Sequence, residues 1–291
     1  MKILVSELPK SDWWGRGMPH HANNWLTDSG NIPRPDIVRD AHKRFIAALR
    51  KVCEVLVLPF PEKFDTKKLY KHDFIFLRDS YISAGRGSVI ISNFSERSRQ
   101  SEALYMKAYL TALGLTVHTL SDSAHAEGGE FYLAPRDNLL FAGFTRNNKK
   151  GIEEVAKVTG ISDVCTVINP AFHLDTNFSI LQDLRGHCVG VVACLSVIKN
   201  RKDVEVFCKA HNLEIIELNP VDGMGTPDEP GSFAANSQAF PGVLVSCARF
   251  ETPGVEEKIK TMGIRHVVVP LYDLKFSGGS VHCLTNELVL A

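Results

Sequence analysis

The chain has 291 residues, 33 basic and 33 acidic side chains, a formal net charge of zero and 44% hydrophobic residues. That balance lacks the basic surplus on which nucleic-acid and anionic-membrane binders depend, and the length allows one large domain or two small ones with ample core. The seven cysteines are scattered with no CxxC pair. Neither a disulfide framework nor a zinc-finger site is indicated, and a reducing cytoplasm fits best.

Taken in order, the chain opens with the apolar run Met1–Val5, soon followed by Glu7, Lys10 and Asp12. The run is too short for a signal peptide, and no later stretch approaches a membrane span. Trp13–Pro35 is long, polar and aromatic, and reads as a loop of a length that is usually functional or mobile. Asp36–Val52 has apolar residues at Ile37, Ala41, Phe45, Ala48 and Leu49, the spacing of a helix with one buried face. A strand, Glu54–Leu58, follows.

From Phe74 a pattern repeats. Strand-like runs Phe74–Leu77 with Tyr81–Ser83, then Ser88–Ser92, precede a helix over Arg99–Leu113 and a strand over Leu115–Leu120. The second copy has Phe131–Ala134, Leu139–Phe144, a helix over Lys150–Val158 and Val164–Ile168. The third has Phe178–Leu181, Cys188–Cys194, a helix around Asp203–His211 and Leu213–Leu218. The fourth has Ser237–Phe240, Val243–Ala248, a helix near Pro253–Met262 and His266–Pro270; Asp222–Gly231, before it, reads as a surface loop. The fifth opens with a strand over Val281–Leu290, and its helix and last strand are Asp36–Val52 and Glu54–Leu58 at the other end of the chain.

The period is about 50 residues with circular closure. A strand–strand–helix–strand unit cannot bury its apolar face alone, whereas five closed into a ring bury every face around one axis. The expected fold is therefore α/β, a closed ring of about five strand–strand–helix–strand units forming a single domain over residues 1–291. A doubly wound sheet alternates strand and helix singly and fits less well.

The unusual polar residues fall at the same place in successive copies. They are Arg78-Asp79, Glu127-Gly128-Gly129-Glu130, His173-Leu174-Asp175, Asn236 and Cys283. In a ring these positions converge on one pocket. Each group also has an ordinary reading: Asp79 as a turn residue, Glu127 as a solvated charge, His173 as a satisfied core histidine, Cys283 as an inert thiol. His173 and Asp175 are two apart, which on a strand places both on one face. His-x-Asp with a cysteine could bind zinc, yet His20-His21 and His282 show no regular ligand spacing. A thiolate, an imidazole and several carboxylates suit a cationic planar electrophile. Carboxylates accept paired hydrogen bonds from a guanidinium, cysteine attacks its carbon and histidine handles protons. The bound cation would itself stabilise the thiolate.

The motifs Phe76-Leu77-Arg78-Asp79, Glu127-Gly128-Gly129-Glu130, Phe141–Arg146, His173-Leu174-Asp175-Thr176 and Gly278–Thr285, in this order, resemble the guanidino-modifying superfamily. That superfamily comprises dimethylarginine dimethylaminohydrolases, arginine deiminases and amidinotransferases on the pentein fold, a five-bladed α/β propeller of ββαβ units. The likeness runs from about Pro35 to Ala291. It implies Cys283 as nucleophile, His173 as general acid and base, and Glu127 as an acid that helps place the histidine or substrate. It implies Asp79 and Asp175 as guanidinium ligands, Asp73 as ligand of the amino-acid ammonium, and Arg146 and Arg99 as ligands of its carboxylate, with Arg97 the substitute for the second. Arg78 and His-Leu-Asp lean toward deiminases, the compact length toward dimethylargininases, and Arg146 stands one residue early against the usual pattern.

The expected activity is a cysteine-dependent hydrolysis of a guanidino C–N bond of arginine or a methylated arginine. The products are citrulline and ammonia or a methylamine, with no metal or organic cofactor. An amidinotransferase, with an amine acceptor in place of water, is the alternative enzyme; a non-catalytic binding propeller is the alternative outside catalysis. The expected partner is a small guanidino amino acid, with no nucleic acid and no membrane, and the reading leaves room for a homo-oligomer.

Overall fold

Short β-branched and aromatic runs, each bounded by turn residues, fold into five sheets of three strands. The computed structural model describes residues 2–11, 33–66, 69–170, 172–226 and 228–289. The first sheet joins the two ends of the described chain: β1 (Lys2–Ser6), then helix α1 (Pro35–Leu49) and β2 (Glu54–Leu58). A two-stranded hairpin follows, β3 (Asp65–Thr66) with β4 (Leu69–Tyr70). The second sheet contains β5 (Tyr81–Gly85), β6 (Ser88–Ile91), α2 (Gln100–Ala112) and β7 (Thr116–Thr119). The third contains β8 (Phe131–Ala134), β9 (Leu139–Gly143), α3 (Lys149–Thr159) and β10 (Asp163–Val167). The fourth contains β11 (Phe178–Gln182), β12 (Cys188–Ala193), α4 (Arg201–Ala210) and β13 (Glu214–Glu217). The fifth contains β14 (Gln238–Phe240), β15 (Val243–Ser246), α5 (Val255–Thr261) and β16 (Arg265–Val268). A short helix α6 (Val281–Leu284) then leads into β17 (Asn286–Leu288), which returns to the first sheet.

Each sheet has one plan. In the second to fifth sheets the first two strands pair antiparallel and the helical crossover lays the third parallel to the second; the first sheet repeats this with β17, β1 and β2 in those places. The helices carry their own stop signals: the Asn148 side chain accepts the Gly151 amide at 2.8 Å to start α3, and Gly160, at φ +71°, ends it in the left-handed region. Buried apolar side chains form three clusters under the sheets.

Several expectations are corrected. The run Met1–Val5 has no element predicted from its sequence. From Lys2 on it is the middle strand of its sheet, flanked by β17 and β2, and so Ile3, Leu4 and Val5 are fully buried. Phe74–Leu77 is not a strand; it lies across two 3-10 turns, His72–Ile75 and Leu77–Ser80. Val281–Leu290 is not one strand either: Cys283 sits on α6, and only Asn286–Leu288 pairs. The buried face of α1 is Val38, Ala41, His42, Phe45 and Leu49, displaced from Ile37 and Ala48. Asp222 is buried, with its carboxylate taken by the backbone of Glu251 and Thr252, so the loop that begins there is anchored from inside. The loop expected over Trp13–Pro35 lies outside the described residues up to position 32, and Pro35 opens α1.

Candidate active site

The polar residues picked out by the repeat stand on tight turns that enter the first strand of each sheet. Asp79 is on the 3-10 turn before β5, Glu127 and the glycine pair precede β8, and Asp175 is on the turn Leu174–Thr176 before β11. Asn236 precedes β14, and Cys283 precedes β17. The turns pack directly on one another. Small residues make this possible. A Cβ on Gly128 would strike the carbonyl oxygen of Arg78, and one on Gly129 would lie 2.7 Å from His173 Nδ1 and 2.8 Å from Asp79 Oδ1. A Cβ on Gly279 would lie 2.5 Å from the Phe76 ring, and Gly278 holds φ +96° just before α6.

Cys283 is buried, and its sulfur has two polar neighbours. Asn236 Nδ2 donates to Sγ at 3.1 Å, and the thiol points to Asp175 Oδ2 at 3.4 Å. The Asn236 side chain also accepts the amides of His282 and Cys283 at 3.0 and 3.2 Å, which locks the turn that carries the sulfur. Burial raises the thiol's pKa well above its ordinary value, and the charges of Asp175 and Asp79 add to the effect. Alone in this site, the group rests as a thiol.

His173 lies between two carboxylates. Its Nε2 is 2.9 Å from Glu127 Oε2 and its Nδ1 is 3.3 Å from Asp79 Oδ1. Burial works against the imidazolium, but Asp79, Glu127 and Glu130 outweigh it and hold the histidine up to about 9. Burial likewise opposes the ionised form of Glu127, and the His173 contact prevails, drawing that carboxyl down to about 2. The other Glu127 oxygen accepts the amide and hydroxyl of Ser95 at 2.9 and 2.8 Å. No hydrogen bond joins His173 to Cys283 among the described residues; they flank the same carboxylates, Asp79 and Asp175.

His173 and Asp175 do not share a strand face. His173 is extended and Asp175 is already in the 3-10 turn, so the two side chains diverge, one to Glu127 and the other to the sulfur. Asp175 Oδ2 also meets His282 Nδ1 at 2.8 Å. Burial pushes its carboxyl up to about 7, against the pull of the His173 cation. Asp175 Oδ1 is buried with no hydrogen bond among the described residues, and Asp79 Oδ1 has only its 3.3 Å ionic contact with His173 Nδ1. A buried carboxylate oxygen left in that condition is costly.

A small pocket reaches the sulfur. Asp73, Phe76, Asp79, Arg99, Phe172, Gly278 and Cys283 line it. Arg99 is largely committed already: Nη1 donates to Asp79 Oδ2 at 2.7 Å, Nη2 to Glu102 Oε2 at 2.8 Å and to the Asp73 carbonyl at 3.2 Å. Nε also faces Glu102. Its donors therefore go mostly to Glu102, with one bracing Asp79. Asp73 is at the pocket wall, and burial raises its carboxyl. Arg146 lies over the Phe172 ring, 4.7 Å from its centroid, which places it beside the pocket wall. Arg97 is exposed.

Some of the site was not singled out from sequence. Glu102 sits three residues after Arg99, the spacing of a helical ion pair. His282 adjoins Cys283 in sequence but seemed only an irregular metal ligand. Arg78 turns away from the pocket; its guanidinium pairs with Glu287 and donates to Gln238 Oε1 at 2.7 Å. Among the described residues no three His, Cys, Asp or Glu side chains are grouped to hold a metal ion.

A family model described as N,N dimethylarginine dimethylhydrolase, eukaryotic, matches residues 25–290. The chain belongs to this family. It is thereby a member of the guanidino-modifying pentein superfamily. An uncharacterized protein of Aeropyrum pernix is 25% identical over 148 residues, half of this chain and 51% of its own length. The bifunctional arginine dihydrolase/ornithine cyclodeaminase ArgZ of Synechocystis is 24% identical over 217 residues, 73% of this chain. This chain spans about half the length of the first relative and 29% of the second. Among solved structures, the N-terminal domain of ArgZ covalently bound to a reaction intermediate superposes with a TM-score of 0.78 at 20% identity, covering 98% of this chain and 96% of that one. A dimethylarginine dimethylaminohydrolase adduct with S-methyl-L-thiocitrulline gives 0.71 at 19% identity, with 99% of both chains covered. These likenesses speak for the fold. No helix among the described residues is long and apolar enough to cross a membrane.

Proposed function

We propose that this family member is a cysteine hydrolase that cleaves a C–N bond of a guanidino amino acid, arginine or a methylated arginine, to a citrulline-like urea and an amine. One observation carries the reading. Asp175 Oδ1 is a buried acceptor with no hydrogen bond, and Asp79 Oδ1 has only the ionic contact of His173 Nδ1 at 3.3 Å, beside a cysteine sulfur that already touches the Asp175 carboxylate. A guanidinium supplies planar N–H donors and a positive charge together, and so satisfies both oxygens. The same cation would stabilise the Cys283 thiolate, which the protein alone does not. The reading also takes the five sheets as blades of one propeller forming a single catalytic domain in the cytoplasm.

As the cation binds, the Cys283 thiol releases its proton to solvent, and Sγ then attacks the guanidinium carbon and forms a C–S bond. His173, an imidazolium at neutral pH, gives its proton to the departing amine as the C–N bond breaks. The neutral imidazole then takes a proton from water, which attacks the same carbon; the C–S bond breaks and the urea leaves. Glu127 and Asp79 keep the histidine charged before the first step. Asp73 and Arg146 at the pocket wall suit the ammonium and carboxylate of an amino acid, and Arg99 supports Asp79. The ArgZ and dimethylarginine dimethylaminohydrolase likenesses support a guanidino substrate.

The test is to incubate the protein with arginine, asymmetric and symmetric dimethylarginine and agmatine, and to measure ureido product and released amine. Turnover of at least one amino acid substrate is expected, and its loss in Cys283→Ser with an unchanged circular dichroism spectrum. Hydrolysis by the serine variant at the wild-type rate would refute the nucleophile. No turnover of any of these compounds by wild type would refute the reading.

A further inference from the structure

The residue just before the nucleophile has an unassigned place in the site. His282 is buried, and its Nδ1 lies 2.8 Å from Asp175 Oδ2, the oxygen that also faces Cys283 Sγ. Its ring stacks on Tyr132, with centroids 4.4 Å apart and planes 24° apart. Tyr132 is fixed in turn by a 2.8 Å hydrogen bond from its hydroxyl to the Phe178 carbonyl. The His282 amide is held by Asn236 at 3.0 Å, and its carbonyl accepts from Arg78 Nε at 3.4 Å. Ring and backbone are thus pinned on several sides. Beyond it lies a second cavity of about 400 Å³, which His282, Tyr132, Arg78, Gln238 and Glu287 help to line, so the ring stands between that space and Asp175.

We infer that His282 is a positioning residue: as a neutral imidazole protonated on Nδ1, it donates to Asp175 Oδ2 and so leaves Asp175 Oδ1 as the acceptor for the substrate. The chemistry of the contact requires this tautomer, because an ionised carboxylate only accepts. Several charged and titratable groups surround the pair. Asp175 faces His173, Asp79, Arg78, Tyr132 and Cys283, while His282 has Arg78 and His173 as cationic neighbours. Burial and those two cations drive His282 well below its ordinary range, so it stays neutral and does not compete with His173 for the proton. A second imidazolium beside Asp175 would neutralise the carboxylate meant for the guanidinium. A neutral N–H donor supports the ionised carboxylate without cancelling it.

The inference rests on the proposed function for its meaning, but it can be tested without turnover. Protein carrying ¹⁵N-labelled histidine is titrated from pH 7.5 to 9, where the Asp175 carboxyl is ionised, with the His282 signals assigned by substitution. A neutral Nδ1–H tautomer throughout is expected; an Nε2–H tautomer, or an imidazolium forming within that range, would overturn the inference even if the enzyme hydrolyses arginine. The activity arm compares His282→Phe, which keeps a ring against Tyr132 but no donor, with His282→Asn, which restores an N–H near the Nδ1 position. The Phe variant should lose at least tenfold in kcat/KM, mostly through KM, and its acid limb should move to higher pH because Asp175 is harder to ionise. The Asn variant should recover most of both. A Phe variant within twofold of wild type with an unmoved acid limb, or an Asn variant as impaired as the Phe variant, would overturn it. A wild type that turns over no guanidino compound yet shows the expected tautomer would refute the proposed function and leave the placement of His282 intact.

Discussion

Glu127→Gln isolates the charge that holds His173 ready. The substitution keeps the shape and leaves an oxygen for the two Ser95 donors, but it removes the anion 2.9 Å from the imidazole. His173 stands at about 9 and Glu127 at about 2, against ordinary values of 6.5 and 4.5. The two displacements overlap in the one His173–Glu127 pair and are not added; the histidine's own displacement is about 3 kcal/mol for its three carboxylate neighbours together, using about 1.4 kcal/mol per unit. Asp79 and Glu130 keep part of that stabilisation. Loss of Glu127 should therefore lower His173 by at least one unit, or about 1.4 kcal/mol. The sign for stability follows. The contribution of the raised histidine is complete below 6.5 and is lost as pH rises through about 9. That of the lowered carboxyl is present above 4.5 and is lost as pH falls through about 2. The variant should be less stable by about 1–3 kcal/mol near pH 6, a gap that closes above pH 9. The assays are urea unfolding at both pH values, the basic limb of kcat and an NMR titration of His173. The limb and the titration should fall together. A basic limb and a His173 titration unmoved from wild type would refute the reasoning.

Three more outcomes are expected. Asp79→Asn leaves Arg99 and His173 beside an amide in a buried site, and breaking such a pair costs about 3–5 kcal/mol; kcat/KM measured against wild type should fall well beyond tenfold, and a smaller loss would reduce Asp79 to a turn residue. Gly129→Ala places a methyl 2.7 Å from His173 Nδ1, so thermal unfolding and activity should both deteriorate, and an unaltered kcat would mean that the histidine is free to move. Cys283 should alkylate with iodoacetamide more slowly than a free thiol at pH 7.5, as read by peptide mass spectrometry, because burial favours its protonated form; labelling faster than free cysteine would show a thiolate already formed without substrate.

Much of the architecture was legible because it repeats. Phe131–Ala134 and Glu54–Leu58 have the expected bounds, and most other elements shift by only a few residues, since apolar runs between glycine and proline turns set both strand and crossover. The misses have one physical source. Phe74–Leu77, His173–Asp175 and Val281–Leu284 are apolar enough to look like strands, but each is bent into a tight turn by packing against the others at the site. Tertiary contacts there override local preference. The same bending sends His173 and Asp175 to different partners, which a period of two could not foresee. The partner of Arg99 went unseen for another reason: Glu102, three residues later on the same face, takes most of its donors, a pairing the site motifs do not include. The middle strand β1 was missed because a terminal run of five residues carries no period of its own.

The pairing of β1 with β17 brings together residues from opposite ends of the chain, Lys2 opposite Leu288. Cys283 hangs immediately before that seam. Contacts of such sequence separation form late, because the loop they close loses its entropy before the contact returns anything. In a refolding experiment, far-UV ellipticity from the four locally built sheets should therefore recover ahead of catalysis. A nick or a strained linker near either edge of the seam would silence the enzyme while most of its helices and strands survive. Cys283, the proposed nucleophile, would then report on completion of the whole fold.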